Sequence, residues 1–228
     1  MTDRSVTTQR RDTFRRSGPR GRLLAPAVWA AVVVAMMAAL LAPRDTDPGL
    51  SQLSLTVSDF AALDRGGPIE TAMATLGLVS LLLLAVARKR LPAMRGLPST
   101  LLAIWGAGLV LAAVVPTDPL TTHLTGSAYV HRYASVAAFA ALPAACLVLA
   151  GRLGSAAGRT VWWLRVLSLL AVAGAGVMAY SAGPGGRELI GLVERVMLGC
   201  EVIMIGVLGR YVQRMAPGGG SRGEALNL

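Results

Sequence analysis

The sequence predicts an all-α fold: a bundle of six transmembrane helices with both termini in the cytoplasm. Three observations carry this. The chain has 228 residues, 54% hydrophobic and only 15% charged, where a typical soluble domain has about 25% charged residues. Its apolar residues come in blocks instead of an amphipathic period, and six blocks approach the roughly 20 residues that a helix needs to cross a hydrocarbon core of about 30 Å. The loops between these blocks alternate in the sign of their charge.

The blocks cover residues 23–42, 70–87, 100–116, 130–150, 161–182 and 188–209. They make one membrane domain, 23–209, between a basic tail, 1–22, and a second tail, 210–228. The first tail holds Arg4, Arg10, Arg11, Arg15, Arg16, Arg20 and Arg22. Arg88, Lys89, Arg90 and Arg95 fill the second loop, Arg152 and Arg159 the fourth, and Arg210, Arg214 and Arg222 the last tail. The first loop instead has Asp45, Asp47, Asp59 and Asp64, and the third has Asp118. Basic loops stay on the cytoplasmic side, so a net charge of +10 reports orientation and not nucleic-acid binding. The first block is longer than a signal-peptide core, and its end, Leu40-Leu41-Ala42-Pro43, is a poor cleavage site. It is expected to remain as a span. Cys146 and Cys200 fall inside spans, which excludes an extracytoplasmic disulfide framework.

The connections follow from their residues. Residues 50–62, LSQLSLTVSDFAA, mix apolar and hydroxyl side chains and suit a short interfacial helix or a re-entrant turn. Gly66-Gly67-Pro68 breaks the chain before span two. Pro116-Thr117-Asp118-Pro119 ends span three, because proline cannot continue a helix. Gly183-Pro184-Gly185-Gly186 is a tight turn that holds spans five and six as an antiparallel hairpin. Gly106, Gly108, Gly174, Gly176, Gly191 and Gly199 lie within spans, where small residues let backbones approach.

Charges inside a span cost about 2.5–3.5 kcal/mol each on insertion scales, and so need partners. Glu194 and Glu201 are seven residues apart in span six and project from nearly one face. Depth, at about 1.5 Å per residue, suggests that Glu201 pairs with Arg165 of span five, and Glu194 with Arg132 or His131. Gly191 and Gly199 flank Arg195 and leave room for another helix beside its guanidinium. An outward polar cluster of Asp59, Asp118, His123, His131, Arg132, Glu194 and Arg195 follows. It is a candidate to bind a lipid head group or small polar ligand, or only to pin the bundle. The histidine spacing matches no standard zinc motif, and no P-loop, nucleophile elbow or HExxH occurs.

The order of Ser58-Asp59, Pro116-x-Asp118, His131 and Glu194-Arg195 resembles the bacterial multi-spanning family filed as domain of unknown function 998. The resemblance covers roughly residues 25–215. It implies a six-helix membrane bundle with an outward polar site and no established reaction. The Ala-, Arg- and Gly-rich composition is that of a high-GC bacterium. A more distant similarity links Ser58, Asp59, His123 and His131 to membrane hydrolases of the alkaline ceramidase type, which use three histidines and seven spans. This chain has two histidines.

The expectation is therefore a six-span protein of the bacterial plasma membrane, more a binding or structural protein than an enzyme. Its partners are membrane lipids and optionally a second copy of the chain, with no nucleic acid, cofactor or metal. Two alternatives stand beside it: a lipid hydrolase centred on His131 with Asp118 or Asp59, and a transporter using Glu201 as an intramembrane proton or cation site.

Overall fold

The computed structural model describes residues 26–34, 37, 53, 55–63, 67–118, 125–154 and 157–215. Among these the fold is all-helical and has no strand. Helix α1 is described over 26–34. It is followed by α2 (Val57–Leu63), α3 (Pro68–Arg90), a 3-10 turn (Pro92–Met94), α4 (Leu97–Val114), α5 (Gly126–Leu153), α6 (Gly158–Ala182) and α7 (Ile190–Arg214). Four of them, α3 to α6, are long and apolar enough to cross a membrane. Helix α7 has 25 residues but carries Glu194, Arg195, Glu201, Arg210 and Arg214.

Helix boundaries follow local chemistry. Proline sits in the first turn of both α3 and α4, where its missing N–H costs nothing. The Thr125 hydroxyl accepts from the Ala128 amide and caps α5. The expected short helix in the first loop is α2, and the Gly-Pro-Gly-Gly turn joins α6 to α7. The helices overrun most of the apolar blocks, for example to Arg90 and Arg214. Basic residues in a last helical turn interact favourably with the helix dipole.

Consecutive helices from α3 to α7 pack side by side. Small residues set the closest approaches. A Cβ on Gly77 would stand 2.7 Å from the Gly106 carbonyl oxygen, so α3 and α4 touch backbone to backbone. Trp105 fills the space beside them and donates to the Ser80 hydroxyl at 3.1 Å. Helix α1 lies on α7, with Val28 over Gly209 and Trp29 over Gly206. The core is aliphatic, built on Leu83, Leu142, Leu164, Met204 and Ile205.

Large apolar side chains also cover the outside of the long helices. Only 28–44% of the most apolar stretch of α3 to α6 is buried. Leu82, Val114, Val136, Leu169 and Val177 are exposed. An apolar shell of this extent suits hydrocarbon and not water.

The two ends of the bundle differ in charge. Arg90 donates to the Val212 carbonyl, and Arg152 to the carbonyls of Ala93 and Arg95. These bonds gather the ends of α3, α5 and α7, with Arg88, Lys89, Arg159, Arg210 and Arg214, at one basic end. Asp59, Glu70, Asp118, Glu188 and Glu194 lie at the other, so among the described acidic residues only Glu201 is away from it. Aromatic residues mark the same two levels. Trp29, Trp162, Trp163 and Tyr211 sit near the basic end, and Tyr129, Tyr133 and Tyr180 near the acidic one. Such girdles form where amphipathic rings meet the head-group layer.

Candidate functional site

At the acidic end, the segment before α2 docks on the start of α7. Thr56 and Asp59 form a reciprocal cap. The Thr56 amide donates to the Asp59 carboxylate at 2.9 Å, and the Asp59 amide donates to the Thr56 hydroxyl at 3.1 Å. The Ser58 hydroxyl bonds that of Thr56. The next free amide of α2, that of Val57, donates to the Glu194 carboxylate of α7. In return the Leu53 carbonyl accepts from the Gly191 amide at 2.9 Å. Each helix start thus supplies what the other lacks. Arg195 donates to the Leu55 carbonyl at 3.1 Å and to the Gly191 carbonyl at 2.9 Å, and its guanidinium lies 5.4 Å from the Phe60 ring centre. Leu55, Val57, Phe60, Ala61 and Ile69 form a small apolar cluster beneath.

The α6–α7 turn completes this network. Arg187 donates to the Asp59 carboxylate at 2.9 Å. Arg187 and Leu189 both have left-handed backbones, at φ 65° and 60°. Side chains there cost about 1–2 kcal/mol per residue. The strained turn is the one that brings Arg187 to α2.

The expected single polar cluster is therefore divided. Asp59, Glu194 and Arg195 share the α2–α7 network. Asp118 accepts from the Thr125 amide at 2.7 Å, within the α4–α5 connection. His131 is buried at 3% exposure, with Nδ1 bonded to the Val115 carbonyl at 3.1 Å. A carbonyl can only accept, so Nδ1 carries the proton. Nε2 has no hydrogen-bond partner among the described residues. Arg132 is exposed, and His123 lies outside the described residues. Glu194 does not meet Arg132 or His131 by hydrogen bond or ion pair among the described residues. Its carboxylate is committed to the α2 backbone. What approaches Arg195 is the Leu55 carbonyl just before α2 and the Phe60 ring within it. A Cβ on Gly199 would meet nothing within 4 Å.

The Arg165–Glu201 pair does not form. The α6–α7 register sets Ser168 against Met204, whose sulfur accepts from the hydroxyl at 3.3 Å, and Gly174 against Met197. Glu201 is then level with Ala171, and Arg165 lies about 9 Å nearer the basic end by helical rise. The faces also differ. Arg165 is exposed, whereas Val161, Leu164 and Ser168 take the buried side of α6. Glu201 is fully buried, and neither of its carboxylate oxygens has a hydrogen-bond partner among the described residues. Cys146 of α5 is within electrostatic reach of it.

Ser58 and Asp59 belong to the α2 cap and His131 to the α4–α5 hairpin, so the described residues give no hydrolase-like constellation. No group of three His, Cys, Asp or Glu able to hold a metal occurs among them.

Apolar outer faces, ends of opposite charge and a polar network at one end define a helical membrane protein. The family model described as "Protein of unknown function (DUF998)" matches residues 24–211, and the chain belongs to that family. No curated protein and no solved structure gives a significant match.

Proposed function

We propose that the protein is a six-span plasma-membrane protein of a bacterium, spanning with α1 and α3 to α7 and with both termini cytoplasmic, in which Glu201 handles a proton or small cation during transport. The packing of α1 on α7, the basic end and the aromatic levels support the topology. The observation that carries the function is Glu201, at 0% exposure and with two unpartnered oxygens among the described residues. A buried carboxylate without a partner contributes nothing to stability. Ionisable residues in that setting mark ion pathways and proton relays. The outer network, by contrast, uses its charges on its own backbone and serves to hold α2 in place.

Proteoliposomes test this. Proton, sodium and potassium flux are followed under an imposed potential for the wild type, Glu201→Asp and Glu201→Gln. The reading expects a flux that Asp retains in part and Gln abolishes. A flux indifferent to Glu201→Gln rejects it. Cysteine labelling from either side of intact cells tests the position of the termini.

A further inference from the structure

Arg165, released from its expected partner, points to a different site. Arg159 and Arg165 each lie three residues from Trp162 on α6, so the two guanidinium groups flank its indole on either side. All three are exposed. Trp163 stands beside Trp162, with ring centres 4.7 Å apart and planes at 79°, and the two indoles are 55% and 42% exposed. Gly158, Arg159, Trp162 and Trp163 line an open cleft of about 550 Å³. Two turns further along α6, Leu169 continues the line of Trp162 and Val172 that of Arg165, and both are exposed.

This surface combines features that each ask for a different part of one ligand. Two cations face outward and have no hydrogen bond or ion pair with any described residue. Arg165 lies about 9 Å further along the helix than Arg159, so its guanidinium must extend toward the basic end to leave hydrocarbon. That brings it toward the level of Arg159. No acidic residue is described at this end to compete for either one. The indoles add N–H donors beside an apolar wall, and Leu169 and Val172 continue that wall inward. An anion with attached hydrocarbon fits all of it.

We infer that Arg159 and Arg165, flanking the Trp162 indole on α6 with Trp163 beside Arg159, form a binding site for an anionic phospholipid at the basic end of the bundle. The guanidinium groups hold the phosphate, the indoles sit at the glycerol level, and an acyl chain lies along Leu169 and Val172. The site is independent of Glu201 and of the acidic-end network.

The test uses the full-length protein in mixed micelles, titrated with dioleoyl phosphatidylglycerol or dioleoyl phosphatidylcholine and read by native mass spectrometry. The expected result is preferential retention of phosphatidylglycerol. It falls roughly fivefold in Arg159→Gln or Arg165→Gln and about thirtyfold in the double variant, as two juxtamembrane cations would give. Both arginines are exposed, so the melting temperature should not move, and Trp162→Leu should weaken lipid retention with all charges kept. Equal retention of the two lipids overturns the proposal. So does a phosphatidylglycerol preference that survives the double variant, since other basic residues would then be responsible. Inorganic phosphate that displaces the lipid at equal concentration also overturns it, because the anion alone would then be the ligand.

Discussion

Helix α7 carries two buried carboxylates seven residues apart, and they live under opposite conditions. Glu194, at 3% exposure, accepts the Val57 amide and has Arg195 and the Arg187–Asp59 pair around it. Glu201, two turns deeper, has no partner among the described residues. The first ties a loop to a helix. The second costs stability and returns none. A side chain kept at such a cost is better explained by what it does than by what it holds.

Mutations can break or sharpen this contrast. The largest effect belongs to Glu194→Ala, which leaves the Val57 amide without its acceptor. A hydrogen bond to a charged group is worth about 1.5–3 kcal/mol, so a loss near the top of that range is expected as a lower melting temperature in detergent. Cysteine placed at Ser58 should at the same time become more reactive to an impermeant maleimide. Next comes Arg195→Ala, which removes bonds to the Leu55 and Gly191 carbonyls and the contact with Phe60. A loss of about 2 kcal/mol is expected, and a melting temperature equal to wild type would show that the network is not structural.

Glu201→Leu should move the other way, gaining about 1 kcal/mol or more because a buried carboxyl without a hydrogen-bond partner gives way to an apolar side chain. The same variant should be inactive in flux assays. A destabilised Glu201→Leu would mean that the carboxylate has a structural partner after all, and would erase the contrast. The smallest effect is that of Arg187→Ala. The Arg187–Asp59 pair is partly exposed, and such pairs contribute about 0–1 kcal/mol. Its melting curve should lie close to wild type at high salt.

Much of this architecture is legible in the sequence. Apolar blocks locate α3 to α6 because hydrocarbon demands length and little else. Gly67-Pro68 and the Gly-Pro-Gly-Gly turn mark their ends through backbone geometry. The polar site is read less well. Depth along a helix can be counted from residue numbers, but the facing direction depends on register and rotation, which packing decides. Arg165 and Glu201 fail on both grounds. Glu194 and Arg195 reach across to the Val57 amide and the Leu55 carbonyl, and backbone atoms leave no trace in a residue alphabet. Arg187 is part of the site only because a strained turn aims it there. Proximity of its Arg to the Gly-rich turn was the one available signal.

The bonds that tie α2 to α7 span 137 residues from Val57 to Glu194 and 140 from Leu55 to Arg195. A ribosome delivers residues 53–57 long before residues 191–195. The Leu53 and Leu55 carbonyls and the Val57 amide therefore gain their partners only once α7 has been made, whereas the Thr56–Asp59 cap needs no other helix. Completion of the acidic end thus requires synthesis through residue 195, and a chain cut short before residue 191 would leave that end open to proteases.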